Sequence, residues 1–133
     1  MEQIALELDA THAESNLAFQ NRDLNGYRKF LASDLSYTQS DGTTLGVDDI
    51  MKSVAEQFSR LKGCRFGYTR ENLEVLSDDM VIETISMDAT IDLRVFWLFK
   101  RRWNIDRHGD YTWRRYPDGW KLTTVVVDRE NVT

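Results

Sequence analysis

The sequence predicts an α+β domain in which helices come first and an antiparallel sheet follows, and three features carry that reading. Apolar residues recur at three- and four-residue spacing as far as Leu61, the period changes toward two after Gly63, and Asp118-Gly119 separates two alternating runs. Helices grouped ahead of strands suit an antiparallel sheet, whereas a parallel sheet needs them interleaved.

From Glu2 to about Gln20, Leu6, Ala10, Ala13 and Leu17 mark the expected inward face of a first helix. Asn21 and Arg22 interrupt it. Asp23 is placed to cap a short second helix whose Leu24, Tyr27, Phe30 and Leu31 turn inward and which ends near Ser33. Leu35 to Gln39 reads as a short strand, and Ser40, Asp41 and Gly42 turn the chain. The third helix carries the stripe Val47, Ile50, Met51, Val54, Phe58 and Leu61, with Asp48 and Asp49 at its positive end and Gly63 as its stop. Strands are then expected near Arg65 to Leu76, Met80 to Leu93 and Val95 to Ile105, with His108 beginning a turn at Gly109. The last two, Tyr111 to Tyr116 and Trp120 to Asp128, form a hairpin in which Asp118-Gly119 takes a type I′ turn and Pro117, lacking an N–H, sits at a strand end.

With 133 residues, 41% of them hydrophobic, and no linker or internal repeat, the chain reads as one domain over 1–133 with one core. No basic lead precedes an apolar run at the N-terminus and no eighteen apolar residues are consecutive, so the expectation is a cytoplasmic protein with no membrane partner. Cys64, the sole cysteine, permits neither an intrachain disulfide nor a cysteine-based zinc site and reads as an apolar filler. A net charge of −5 argues against nucleic acid as a partner. The basic string Lys100-Arg101-Arg102 does not change that, because strand alternation sends Arg101 and Arg102 to opposite faces.

Two charged residues break apolar rows. Glu83 falls among Val81, Ile85, Met87, Ala89, Ile91 and Leu93, and Arg101 among Val95, Trp97, Phe99, Trp103 and Ile105. Buried, each needs a partner, and they could serve one another as a cross-strand pair or stand at the solvent-facing ends of a twisted edge. His12 lies on a helix and His108 at a turn; either is a potential general base, but the plainer reading of each is a loop or surface histidine. Their separation and the lack of ligand spacing predict no metal, and no glycine-rich nucleotide loop or GxSxG motif is present, so no cofactor is expected.

Asp23-Leu24…Tyr27…Phe30-Leu31-Ala32-Ser33-Asp34-Leu35…Tyr37…Asp41-Gly42…Gly46…Ile50, followed by Trp113-Arg114-Arg115…Asp118-Gly119-Trp120-Lys121-Leu122, resembles the nuclear transport factor 2-like superfamily, in particular its SnoaL-like and ketosteroid-isomerase-like branch. The resemblance covers nearly the whole chain. It implies a cone-shaped curved antiparallel sheet wrapped around three N-terminal helices, the cystatin-like fold, with a pocket at one end and homodimers pairing through the outer sheet face. It does not imply one activity, since the superfamily includes isomerases, dehydratases, cyclases and non-catalytic modules. Anchored on Asp23 and Asp34, the catalytic tyrosine of ketosteroid isomerases falls at Ser15 and their basic aspartate at Gln39, so that mechanism lacks its tools unless Asp41 moves in.

The function expected is therefore a small-molecule pocket protein, as a cofactor-independent lyase, isomerase or cyclase, for an apolar ligand with a polar or anionic group. In that reading Glu83 or His108 transfers a proton, Arg101 orients the ligand, Tyr37 donates a hydrogen bond, and Trp97 and Trp113 form apolar walls. The alternative is a non-catalytic binding or oligomerisation module.

Overall fold

In a computed structural model that describes residues 2–95 and 99–133, helix gives way to sheet at Leu61, where the backbone swings to φ −66°, ψ 124°. The elements are α1 (Glu2–Gln20), α2 (Leu24–Arg28), β1 (Leu31–Thr38), β2 (Thr44–Leu45), α3 (Val47–Arg60), β3 (Leu61–Ser77), β4 (Met80–Val95), β5 (Phe99–Tyr116) and β6 (Gly119–Val132). They form one curved, unclosed sheet in the order β2-β1-β6-β5-β4-β3, antiparallel except between β1 and β6.

α3 forms as its stripe predicts. Val47, Met51 and Val54 are buried, and Asp49 accepts a hydrogen bond at 3.0 Å from the Gly46 N–H that precedes the helix. α2 is shorter than expected. Asp23 caps it by accepting from Gly26 N–H at 3.0 Å, but it stops at Arg28, and Leu31 and Ala32 are already extended and buried in β1. The cause is long-range: Leu31 pairs with Leu122, whose N–H reaches the Phe30 carbonyl at 2.8 Å, so strand pairing overrides a local helical pattern.

α1 has the expected length but presents the other face. Leu6 and Leu17 are 64% and 55% exposed, while Leu8, Thr11 and Phe19 are buried. Apolar residues surround this helix, so their positions do not select a side. The face that docks is the one whose polar His12 and Ser15 meet a cavity. Its first turns are held by Glu7, which accepts from Trp120 Nε1 at 2.9 Å and Arg115 at 2.7 Å.

The two strands expected on either side of Gly109 are one strand, β5. His108 and Gly109 do not turn the chain; they sit at a bulge against β6, where the register shifts between them. Gly109 is required by proximity, because a Cβ there would lie 2.5 Å from the Val126 carbonyl oxygen. The β5–β6 turn also differs from expectation. Only Gly119 has positive φ (129°), at the start of β6, and Asp118 is not left-handed, so the turn is not type I′.

Residues 81, 83, 85, 89, 91 and 93 of β4 are buried, as the row predicted. Two apolar clusters fill the concave side. One joins Leu8, Met51, Val81, Trp113, Trp120 and Val125, and the other joins Phe19, Val54, Leu61, Ile91 and Leu93. Among the described residues no helix is long and apolar enough to cross a membrane.

Candidate functional site

Between the two clusters lies a cavity of about 290 Å³, enclosed by α1, α2, α3 and the concave face of the sheet. Its size is near the lower end for small-molecule sites. Phe19, Phe30, Val54, Phe66, Ile91 and Ile105 make much of its wall apolar, and His12, Tyr27, Tyr37, Arg107 and Tyr111 supply polar groups.

Glu83 organises one side of this wall. It is 0% exposed, and its carboxylate accepts from Trp113 Nε1 at 3.1 Å and Arg70 Nε at 2.8 Å, with His12 Nε2 at 2.8 Å. Burial alone would push the Glu83 carboxyl up, but the bonds from His12, Trp113 and Arg70 outweigh it and hold the group below its ordinary range. An ionised Glu83 can only accept, so His12 Nε2 donates the hydrogen between them. The ring is held between Tyr68, 4.3 Å away centre to centre, and the edge of Trp113 at 5.4 Å. Arg70 also reaches Asp9 at 2.8 Å, and the Tyr68 hydroxyl donates to the same Asp9 carboxylate. A chain of alternating charge thus runs from the helix surface to the buried imidazole.

A second group stands on β5. Strand register aligns Glu83 with Tyr111, Tyr111 with Val125, and Val125 with Tyr37, so one row crosses four strands of the sheet. Arg107 lies along β5 from Tyr111 and bonds Glu130 through Nε at 2.5 Å. The bulge at Gly109 makes that pair: it shifts the alternation of β6 by one residue and brings Glu130 to the face of Arg107, opposite which it is registered. Burial raises the pKa of Tyr37, Tyr111 and Tyr27, so all three are neutral phenols.

The structure distributes the sequence candidates unevenly. Glu83 and Trp113 come together, with Trp113 a hydrogen-bond donor as well as an apolar wall, and Tyr37 lines the cavity. Arg101 is exposed and registered with Leu93, ten residues along β4 from Glu83, so the cation that meets Glu83 is Arg70. His108 is on the convex face, because it is one residue out of phase with Arg107 and Gly109. There it bonds Asp128 at 2.6 Å and Glu71 at 3.1 Å. Glu83 and His108 therefore lie on opposite sides of the sheet and do not form one acid–base pair. Trp97 lies outside the described residues. Ser15 and Gln39, the positions aligned with isomerase catalytic groups, do line the cavity, whereas Asp41 accepts from the Thr43 N–H in its turn.

His12, Arg70, Arg107 and Tyr111 are the groups sequence reasoning did not assemble. A signal for two of them existed: Ile105, Arg107, Gly109, Tyr111 and Trp113 alternate, and the run is visible once Gly109 is not taken as a turn. Among the described residues, no group of three or more His, Cys, Asp or Glu is placed to hold a metal ion.

No family model and no curated protein matches the chain. Solved structures do match it. One is a candidate dehydratase of the nuclear transport factor 2-like family from Streptomyces avermitilis, with 14% identity over 96% of this chain and 97% of that one, at a TM-score of 0.73. Another is a candidate scytalone dehydratase from Novosphingobium aromaticivorans, with 9% identity over 98% and 91% of the two chains and a TM-score of 0.78. A third is a hexachlorocyclohexane dehydrochlorinase, with 13% identity over 98% and 89% and a TM-score of 0.69. The chain has their nuclear transport factor 2-like, cystatin-like fold.

Proposed function

We propose that this protein binds a small, largely apolar molecule in its concave cavity and moves a proton on it without a cofactor, as a lyase, isomerase or cyclase does. The observation that carries the reading is the His12–Glu83 pair, in which His12 lines the cavity and Glu83 lies buried behind it. A fully buried carboxylate with three donors fixes the imidazole's tautomer and orientation and stabilises the imidazolium that forms when Nδ1 takes a proton. The apolar wall excludes water from that step, and Tyr111 and Arg107 offer donors to an oxygen on which negative charge develops. Dehydratase and dehydrochlorinase, the names of structural neighbours, both describe eliminations, a class this pair can serve.

The test begins with capture of a ligand from a metabolite extract by native mass spectrometry, followed by incubation of the captured molecule with enzyme in heavy water. Conversion or deuterium incorporation is expected with the wild type and should fall at least about 100-fold in His12→Gln, the scale of a lost general base. Undiminished conversion in that variant would remove His12 from the chemistry.

A further inference from the structure

We infer that the molecule this cavity takes carries a carboxylate, and that Arg107 and the Tyr111 hydroxyl receive it. The inference rests on the cavity being a ligand site and adds what its ligand must present. Two arginines face the concave side on the strands that flank β4, and they differ in one respect. Arg70 is saturated with carboxylates, holding Glu83 and Asp9 at 2.8 Å each. Arg107 holds one, Glu130 on Nε, and among the described residues its terminal nitrogens donate to no protein oxygen. The fork that a carboxylate fills in bidentate fashion is open where Arg107 lines the cavity.

Beside it, the Tyr111 hydroxyl is buried without any hydrogen-bond partner, in a residue only 7% exposed that lines the same cavity. Arg107 is near enough to favour the phenolate, but no hydrogen bond of proper geometry joins the two groups. Buried polar groups in folded proteins have partners, so this orphan points to an acceptor that comes from outside the chain. The Tyr27 and Tyr37 hydroxyls, also at the cavity, make no hydrogen bond within the described residues either. This end of the cavity is thus rich in donors, with Glu130 the one acceptor engaged. The Arg107–Glu130 pair is already neutral in net charge, so a carboxylate with its single negative charge is accommodated on the remaining N–H groups with less repulsion from Glu130 than the two charges of a phosphate monoester. The remaining wall, with Phe19, Phe30 and Phe66, is suited to a ring.

The experiment compares three probes of one shape, 2-naphthoate, 2-naphthamide and 2-naphthyl phosphate, by calorimetric titration of the whole chain. The carboxylate is expected to bind at least about 10-fold more tightly than the amide, the range of a charge-assisted hydrogen bond. Arg107→Gln should reduce that preference to near unity. Tyr111→Phe, which removes one unpartnered oxygen and leaves the ring packing, should weaken the carboxylate severalfold without lowering the melting temperature. Amide binding equal to carboxylate binding, a preference that survives both substitutions, or tighter binding of the phosphate each overturns the inference while leaving the cavity a ligand site. No binding of any probe at millimolar concentration overturns the cavity reading and this one together.

Discussion

The sheet carries a histidine–carboxylate cluster on each face, and the two are built in opposite proportions. Inside, one carboxylate, Glu83, meets the donors of His12, Trp113 and Arg70. Outside, one imidazole, His108, lies between two carboxylates, Asp128 and Glu71. The ratio decides which partner is held charged. Three donors hold Glu83 ionised against the cost of its burial, whereas two carboxylates favour the proton on His108 and use both of its nitrogens. In the proposed chemistry the inner cluster exchanges a proton with the ligand, and the outer one holds its proton.

Breaking the inner cluster should have the larger effect. Glu83→Ala leaves the Arg70 guanidinium and the Trp113 N–H facing an apolar gap, and the loss expected is about 3–5 kcal/mol, read from urea unfolding. A loss below about 1 kcal/mol would mean that water reaches the carboxylate and the cluster is not dry. The sign of its pH dependence follows from the lowered pKa of Glu83. Its contribution is complete above the ordinary value of 4.5 and is lost as pH falls through the lower folded value, so the variant should show a flatter acid limb than the wild type.

The seam between the two clusters is Gly109, beside which the bulge shifts the alternation of β6 and brings Glu130 to Arg107. In Gly109→Ala the new Cβ meets backbone, 2.5 Å from the Val126 oxygen and 3.0 Å from the Val127 Cα, and cannot be accommodated by a side-chain rotation. The strain should cost about 1–3 kcal/mol and loosen the Arg107–Glu130 pair. Wild-type stability in this variant would show that β6 can move away without penalty.

The seam also explains where the sequence was readable. The period change at the end of α3 and the lone acid in the β4 row were visible because both are local patterns, and both stand in the structure. The partners of Glu83 were not, because His12 arrives from α1 and Arg70 from β3. Only strand order and helix docking, which have no local signature, bring them within reach. The inward face of α1 was misread for a related reason: the side that packs also lines a cavity, so polar Thr11, His12 and Ser15 interrupt the run from Leu8 to Phe19, while exposed Leu6 and Leu17 supply a competing apolar repeat. Gly109 was taken as a turn because glycine marks turns and close backbone approaches alike, and that one residue concealed Arg107 and Tyr111.

The smallest expected effect sharpens the comparison from the outer face. Asp128, then Glu71, raise the pKa of His108 above its ordinary 6.5. A raised histidine pKa contributes stability that is complete below the unfolded value and lost as pH climbs through the folded one. The unfolding midpoint should therefore decline slightly on the alkaline side of 6.5 in the wild type, and that decline should be missing from His108→Asn. The chain has two histidines, so proton NMR of the imidazole rings resolves the question directly: the resonance lost in His108→Asn must titrate above 6.5. The same resonance titrating at or below that value would show that water screens Asp128 and Glu71 enough to release the proton. The contrast between a face that holds a proton and one that passes it on would then rest on Glu83 alone.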